Sequence, residues 1–252
     1  MQISGRGRIV VWEGASLWVL TAARGDAGTD FHTHHAVQIT ISLDGGFAIR
    51  TPHQSANGPV CAVAADTSHI FEATGAVAFL FVEPESATGR AIAARLFANS
   101  SLAEIHPEPL AQMIAMLRDL LAAQGTATAF IEIGREILSD VAAGLEPVFP
   151  DPRVRAMIDF IRANLDGSLT LAAAAANANL SPSRARHLFA LDTGLPFKRF
   201  VLWQRLERAV ELFAAGHSLT AAAHEAGFAD SAHLSRTFRK TFGIPASMLE
   251  VC

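Results

Sequence analysis

The chain has few of the features that mark secreted or membrane-embedded proteins. Only two of its 252 residues are cysteine, Cys61 and Cys252, which excludes a disulfide framework and a CxxC zinc motif. No apolar run approaches the roughly 18 residues of a transmembrane helix, and the first residues lack the apolar stretch of a signal peptide. We therefore expect a soluble cytoplasmic protein.

Charged residues are also scarce, at 17%, and the net charge of −4 is unusual for a protein that binds nucleic acid. This average hides a difference between the two parts of the chain. Residues 1–150 carry 8 Lys and Arg against 15 Asp and Glu, whereas residues 151–252 carry 12 against 9. Such asymmetry indicates two modules with different partners.

The order of apolar runs and turn signals predicts an α+β multidomain protein. Residues 1–86 consist of short apolar runs separated by Gly, Asp and Asn turns, which is typical of an antiparallel sandwich or barrel. Residues 87–146 are predicted to form a helical connector that ends before Pro147 and Pro150. Residues 151–252 are predicted to be helical throughout, with a final helical turn near residues 245–250.

One predicted connector helix, residues 108–124, carries an apolar stripe of Leu110, Ile114, Leu117 and Leu121. The stripe either pairs with its copy, which would make residues 87–146 a dimerisation region, or is buried within the chain. The sequence leaves both alternatives open.

The helical C-terminal part contains an internal repeat. Residues 175–180 recur 48 positions later as residues 223–228, and each copy reads as a short helix, a tight turn and a second helix. Asn179 and Gly227 stand at the turns, and these two residue types best tolerate a left-handed backbone. A plain helical bundle with solvated arginines is the alternative, but the repeated pattern favours two helix-turn-helix units.

The second helix of each copy carries polar and basic residues on its outer face. Arginine can donate two hydrogen bonds to guanine in the major groove, and serine can bond bases or phosphates. The predicted base-reading residues are Ser183, Arg186, His187, Ser231, Ala232, Ser235 and Arg236. The predicted phosphate contacts are Arg184, Lys198, Arg205, Arg239 and Lys240. An apolar helix over residues 196–215 would hold both reading helices for successive major grooves, about 34 Å apart.

This pattern resembles a known family. Residues 227–245, supported by residues 180–184 and 193–197, closely resemble the DNA-binding domain of AraC/XylS-type transcription regulators. The resemblance covers about residues 152–250 and implies a seven-helix domain that contacts DNA through both reading helices.

The sequence departs from the pattern of that family in three places. His187 stands where an arginine is usual, which leaves the base preference of the first reading helix open. Asn179 replaces a glycine, and Met248-Leu249 replace an aromatic-arginine pair. The last two departures are interpreted as structural.

A histidine-rich strand is predicted in the β part. Alternation places His32, His34 and Gln38 on one face of the strand and His35 on the other, where a structural or interfacial role is expected. The spacing resembles the cupin motif, with Gln38 in the glutamate position and His69 as the histidine of the second motif. The resemblance implies a cupin-like antiparallel β-barrel over about residues 5–85, with His32, His34, Gln38 and His69 as effector-binding residues.

The same four residues allow other interpretations. Three imidazoles and an amide oxygen could hold Zn²⁺, Fe²⁺, Ni²⁺ or Mn²⁺, although glutamine neutralises less charge than a carboxylate does. They could also be structural histidines. No cofactor is predicted, and a divalent metal stays an alternative to the organic effector.

The leading hypothesis is a regulator of the AraC/XylS type and not an enzyme. It would bind double-stranded DNA as a homodimer, under the control of a small-molecule effector in residues 1–86, with RNA polymerase as a further partner. Two alternatives remain open. One is a metal-dependent cupin enzyme with a DNA-binding tail, and the other is an architectural DNA binder that responds to no effector.

Overall fold

A computed structural model gives the positions of residues 5–21, 27–246 and 249–251. Within these ranges no helix is both long enough and apolar enough to cross a membrane. The predicted fold class is confirmed, because antiparallel sheets and connecting helices precede a helical region with two helix-turn-helix units.

The chain divides into two compact units. We call residues 1–147 and 238–252 the β unit, and residues 148–237 the helical unit. The second boundary falls inside the last helix, whose final residues belong to the β unit. The predicted domain limits at residues 86, 146 and 151 stay a prediction.

The β unit contains two sheets whose inner faces meet through aromatic rings. Its strands are β1 (Gly5–Trp12), β2 (Ala15–Thr21), β3 (Ala27–Gly28), β4 (Val37–Ser42), β5 (Gly46–Arg50), β6 (Ser55–Ala56), β7 (Val60–Val63), β8 (Ile70–Thr74), β9 (Ala76–Val82), β10 (Leu102–Glu104) and β11 (Leu249–Val251). The larger sheet has the order β10-β7-β4-β9-β2-β1-β11, and the smaller has the order β3-β8-β5-β6. Phe71 of β8 and Phe79 of β9 connect the sheets, with ring centroids 4.9 Å apart.

The larger sheet is covered on both faces, and this determines what each strand presents. Along β4, Val37, Ile39 and Ile41 join an apolar core with the connecting helices, whereas Gln38 and Thr40 face the interior. Those helices are α1 (Ala87–Leu96), α2 (Ala111–Ala122), which follows a 3₁₀ turn at Glu108–Leu110, and α3 (Ala127–Val141). The polar residues of β4 are therefore enclosed between the two sheets.

The apolar stripe of the connector is used inside the chain. Leu110, Ile114 and Leu117 are buried in the core that α2 and α3 form with the sheet, and Leu121 packs against its edge. Of the two alternatives for this stripe, the structure supports burial within the chain.

The helical unit follows the proline-rich segment. Its helices are α4 (Pro152–Arg162), α5 (Leu171–Asn177), α6 (Pro182–Thr193), α7 (Phe197–Ala214), α8 (Leu219–Glu225) and the first residues of α9 (Ser231–Phe242). Asp151 caps α4, Ser181 caps α6, and each is followed by a proline at the first helical position. The helix starts predicted from these residue pairs are therefore observed.

The end of the chain differs from the prediction. The helical turn predicted near residues 245–250 is wrong for Leu249 and Glu250, which belong to β11 and pair in parallel with β1. The edge of β1 supplies a ladder of backbone hydrogen bonds, whereas so short a segment forms a stable helix poorly on its own. Met248, part of one departure from the family pattern, lies outside the described residues.

Candidate functional site

Both copies of the repeat make their turn in the same way. Asn179 and Gly227 have positive φ angles of 54° and 79°. The next residue closes each turn, because Leu180 N–H donates to the Ala175 carbonyl (2.8 Å) and Phe228 N–H donates to the Ala223 carbonyl (2.9 Å). The repeat seen in the sequence is therefore a repeat of backbone geometry.

The reading helices present their predicted outer faces to solvent. On α6, Ser183, Arg184, Arg186 and His187 are exposed, while Ala185 and Phe189 are fully buried. On α9, Ala232 and Arg236 are exposed, and Ser231 and Ser235 are half-buried. The Ser235 hydroxyl donates its hydrogen to the Ser231 carbonyl at 2.8 Å. The Ser235 oxygen can therefore act toward DNA only as a hydrogen-bond acceptor.

The predicted phosphate contacts separate into two groups. Arg184, Lys198, Arg239 and Lys240 are exposed. Arg205 is half-buried, and its guanidinium donates to the carbonyl groups of Leu165 (3.0 Å) and Gly167 (2.9 Å). These bonds connect Arg205 to the loop between α4 and α5, and its contact with phosphate stays a prediction.

Three histidines meet inside the β unit. Ring nitrogens of His32, His34 and His69 all lie within 4.8 Å of one another, and all three side chains are buried. His32 and His69 are also joined through their backbones, by a bridge in which each N–H donates to the other carbonyl at 3.0 Å. The structure thus brings together the histidines that the sequence assigns to one site, and Gln38 Oε1 lies 3.0 Å from His34 Nε2.

Hydrogen bonds fix the position of the proton on two of the three rings. Each Nδ1 lies near a backbone carbonyl: Asp30 for His32 (2.9 Å), Ala36 for His34 (3.1 Å) and Thr67 for His69 (2.9 Å). A carbonyl oxygen only accepts, so Nδ1 of His32 and of His69 carries a hydrogen, and each neutral ring then has a lone pair on Nε2. His34 differs, because Gln38 Oε1 is a second acceptor beside its Nε2, and a neutral ring can donate to only one of the two oxygens.

Burial keeps these rings neutral. Burial, with His69 nearby, lowers the pKa of His32 from 6.5 to about 3, and burial lowers the pKa values of His34 and His69 as well. The Nε2 atom of His69 is buried and has no hydrogen-bond partner among the described residues. The interior therefore presents the Nε2 lone pairs of His32 and His69, which can accept a hydrogen bond or bind a cation.

The space beside the cluster is narrow and mostly aromatic. About 30 Å³ is free, enclosed chiefly by Trp18, Phe71, Phe79, Phe81 and Phe242. A cavity that accepts benzene measures about 150 Å³. Phe242 and Ile244 are part of this lining, and neither residue is among the predicted site residues. No local sequence pattern indicates that these two residues line a site, because apolar residues are also common at the end of an amphipathic helix.

The strand predicted over the histidines is wrong for residues 32–36, because β4 begins at Val37 and only an isolated bridge at His32 precedes it. His35 lies in the bend before β4 and has partners of its own. Its Nδ1 lies 2.6 Å from Asp66 Oδ2 and its Nε2 lies 2.6 Å from Glu85 Oε1. Burial lowers the pKa of His35, but the two carboxylates outweigh it and raise the pKa from 6.5 to about 9. His35 is therefore a buried cation between two anions, in agreement with the structural role expected of it.

A wider cleft lies elsewhere in the β unit, between the β1–β2 turn and α3. Its volume is about 420 Å³, and Glu13, Ser86, Arg135 and Ser139 supply polar groups to its lining. This cleft is the competing location for a small molecule.

A comparison with models of protein families identifies the type of domain that contains the repeat. Residues 174–249 match a family model described as a helix-turn-helix domain. These residues form an AraC-type helix-turn-helix domain. The predicted resemblance to AraC/XylS-type regulators is thereby confirmed. A comparison with curated protein sequences finds no significant match.

Solved structures share the fold over almost the whole chain. ToxT from Vibrio cholerae O395 is 11% identical, with a TM-score of 0.58 over 93% of this chain and 97% of ToxT. Wild-type ToxT from Vibrio cholerae strain SCE256 bound to an unsaturated fatty acid is 11% identical, with a TM-score of 0.56 over 97% of this chain and 95% of ToxT. The AraC-type domain is therefore combined here with a β domain in an architecture that ToxT also has.

Proposed function

We propose that the protein is a transcription regulator that reads DNA sequence through α6 and α9 and responds to a small molecule bound in its β unit. The observation that carries the proposal is the repeated turn geometry, followed in each copy by a helix with exposed Arg186 or Arg236. Such helices are suited to the major groove. The absence of a carboxylate at Gln38 favours a sensor over a metal-dependent enzyme.

Selection of bound fragments from genomic DNA tests this function. We expect the full-length protein to enrich a small set of sequences with two half-sites, because a homodimer would present four reading helices. Equal retention of all fragments at physiological salt would contradict sequence reading and support the architectural alternative. RNA polymerase remains a proposed partner at the selected promoters.

The small molecule is proposed to bind in the interior of the β unit, in contact with His32, His34, Gln38 and His69. The supporting observation is that these buried polar side chains converge beside the narrow aromatic space. The fatty acid bound to ToxT supports a small-molecule site on this fold. We propose the four residues as the polar part of the site.

Lys240→Ala should weaken DNA binding on every sequence. Lys240 is exposed near the end of α9, and a lysine that neutralises one phosphate releases about one counterion. We expect the slope of log K against log salt to fall by about one. Fluorescence anisotropy between 50 and 200 mM salt, typical conditions for such slopes, measures it. Arg50→Ala, a basic residue of the sheet, is the control, and equal slopes for both variants would argue against the phosphate contact.

A second candidate function of the interior cluster is a divalent-metal site. The Nε2 lone pairs of His32 and His69, with a ring nitrogen of His34 nearby, are a donor set that suits Zn²⁺ or Ni²⁺, and the Gln38 oxygen is a fourth ligand. Bound metal would orient the four side chains and stabilise the β unit.

Metal addition should raise the stability of the β unit. At a free Zn²⁺ or Ni²⁺ concentration of about 100 times Kd, we expect about 3 kcal/mol of stabilisation in urea unfolding. His69→Ala should abolish the increase, while His53→Ala, which alters an exposed histidine, should keep it. If chelated and metal-treated wild-type protein unfold alike, the metal site is excluded.

A further inference from the structure

The end of α9 closes the interior of the β unit with an aromatic ring. The Phe242 ring lies 4.9 Å from Trp18 and 5.6 Å from Phe81, and it stacks on His34 at 6.2 Å with an angle of 29° between the planes. Phe242 and Ile244 are almost completely buried. The free space beside the histidines is small because these two side chains fill it.

The segment from Thr29 to His32 holds this end of the helix in place. Asp30 N–H donates to the Gly243 carbonyl at 3.2 Å, and Arg239 Nη2 lies 3.1 Å from Asp30 Oδ2. A Cβ atom on Gly243 would come within 2.7 Å of the Asp30 carbonyl oxygen and of Thr29 Cβ. The close fit therefore requires glycine at position 243.

We propose that the position of the Phe242 ring is the effector subsite, and that the effector is a small aromatic compound with an uncharged hydrogen-bond donor, such as a phenol. This proposal rests on the proposed function, of which it specifies the ligand and the regulation. A planar ring of that size can take the place of the Phe242 ring between Trp18, Phe81 and His34.

The donor requirement follows from the histidine cluster. The Nε2 atoms of His32 and His69 present lone pairs, and His69 Nε2 has no partner within the described part of the chain. A hydroxyl group that donates to this nitrogen satisfies a buried acceptor. A carboxylate would lose its hydration and face lone pairs instead of N–H groups. The site should therefore discriminate between phenol and benzoate.

The same displacement connects the ligand to DNA binding. The helix that ends with Phe242 also carries Arg236, the predicted base reader, and Arg239, a predicted phosphate contact. While Phe242 is in place, the Arg239 guanidinium lies against the Asp30 carboxylate, which would also repel DNA phosphate. Displacement of Phe242 frees Arg239, so the effector should strengthen DNA binding.

Ligand binding is tested by calorimetry on the full-length, chelator-treated protein, with phenol, benzoate and oleate as separate probes. We expect phenol to bind more tightly than the other two. Phe242→Ala should raise the phenol affinity about tenfold, because the competing ring is gone, and His69→Ala should lower it about tenfold, as expected for loss of a buried hydrogen bond. Arg135→Ala, which alters the wider cleft, should leave it unchanged. Preference for benzoate or oleate, or no gain with Phe242→Ala, overturns the proposal.

The repeat supplies a matched pair of variants for the regulatory step. Gly194 ends α6 as Gly243 ends α9, with φ angles of 76° and 71°, but a Cβ on Gly194 would meet nothing within 4 Å. Both alanine variants strain the backbone, and only Gly243→Ala obstructs the docked segment. On a selected duplex, Gly243→Ala should raise DNA affinity about threefold or more, whereas Gly194→Ala should not raise it. Equal effects of the two variants contradict the docking.

Asp30→Asn keeps the test valid if variants at Phe242 or Gly243 fail to fold. Asp30 is exposed. Asp30→Asn should raise DNA affinity about twofold, which is the size expected for loss of a surface ion pair. Asp44→Asn, which alters another loop, should leave DNA affinity unchanged. Two failures can be told apart. Without sequence-selective binding by any variant, the proposed function itself fails. If binding is sequence-selective but neither phenol nor Asp30→Asn alters it, only the proposed effector subsite at Phe242 fails.

Discussion

Arg236→Ala should weaken binding to the selected DNA site by about 1–3 kcal/mol and relax the preference for one base pair. Arg236 is exposed on the outer face of α9, two turns before the helix ends. An arginine in the major groove donates two hydrogen bonds to guanine, and alanine makes neither. Anisotropy on the selected duplex and on its single-base variants measures both effects.

Arg199→Ala is the control for this experiment. Arg199 is an exposed arginine on α7, outside the predicted base-reading and phosphate-contacting sets. Its removal should change affinity on selected and random DNA equally and by less. If Arg236→Ala also reduces both affinities by the same factor, Arg236 does not read a base.

Raising the pH should destabilise the β unit through His35. The two carboxylates raise its pKa from 6.5 to about 9 in the folded state despite burial, so the folded protein binds this proton more tightly than the unfolded chain does. The stability that results is fully present below pH 6.5 and is lost as the pH rises to about 9. A difference of this size corresponds to about 3 kcal/mol, which urea unfolding at pH 6.5 and pH 9 can measure.

A comparison of two histidine variants assigns this pH dependence. His35→Gln should lower stability at pH 6.5 and flatten the fall toward pH 9, because the buried cation is gone. His106→Gln alters a histidine that is 95% exposed and should leave the pH profile unchanged. If the stability of His35→Gln still falls between pH 6.5 and pH 9 as much as that of the wild-type protein, the loss of stability is caused by other groups.

The sequence predicted the features that depend on local periodicity. The alternation of polar and apolar positions over residues 32–38 was sufficient to place His32, His34 and Gln38 together and His35 apart, although the regular strand β4 begins only at Val37. The repeat identified both turns, because Asn179 and Gly227 are of the residue types that most readily adopt a left-handed backbone conformation. These predictions hold since each depends on neighbours within a few positions in the chain.

Features that depend on distant contacts could not be predicted. Asp30 and Arg239 are 209 positions apart. The residues next to each of them in the sequence do not indicate that the two side chains form an ion pair. The hydrogen bonds from Arg205 to the carbonyl groups of Leu165 and Gly167 are a second example, because they cross 40 and 38 positions of the chain. The helical turn predicted near residue 249 ignored the free edge of β1, which only the folded sheet supplies.

The pairing of β11 with β1 has a consequence for how the chain folds and how it can be divided. Nearly the whole chain separates Gly5 from Leu249, so the larger sheet is completed only after the helical unit has been synthesised. Contacts of such long range form slowly. A fragment that begins at residue 148 would carry Phe242 and Ile244 without their cavity and β11 without its partner strand. Exposed apolar side chains and a free strand edge promote aggregation, so the helix-turn-helix region is best produced as part of the full-length protein.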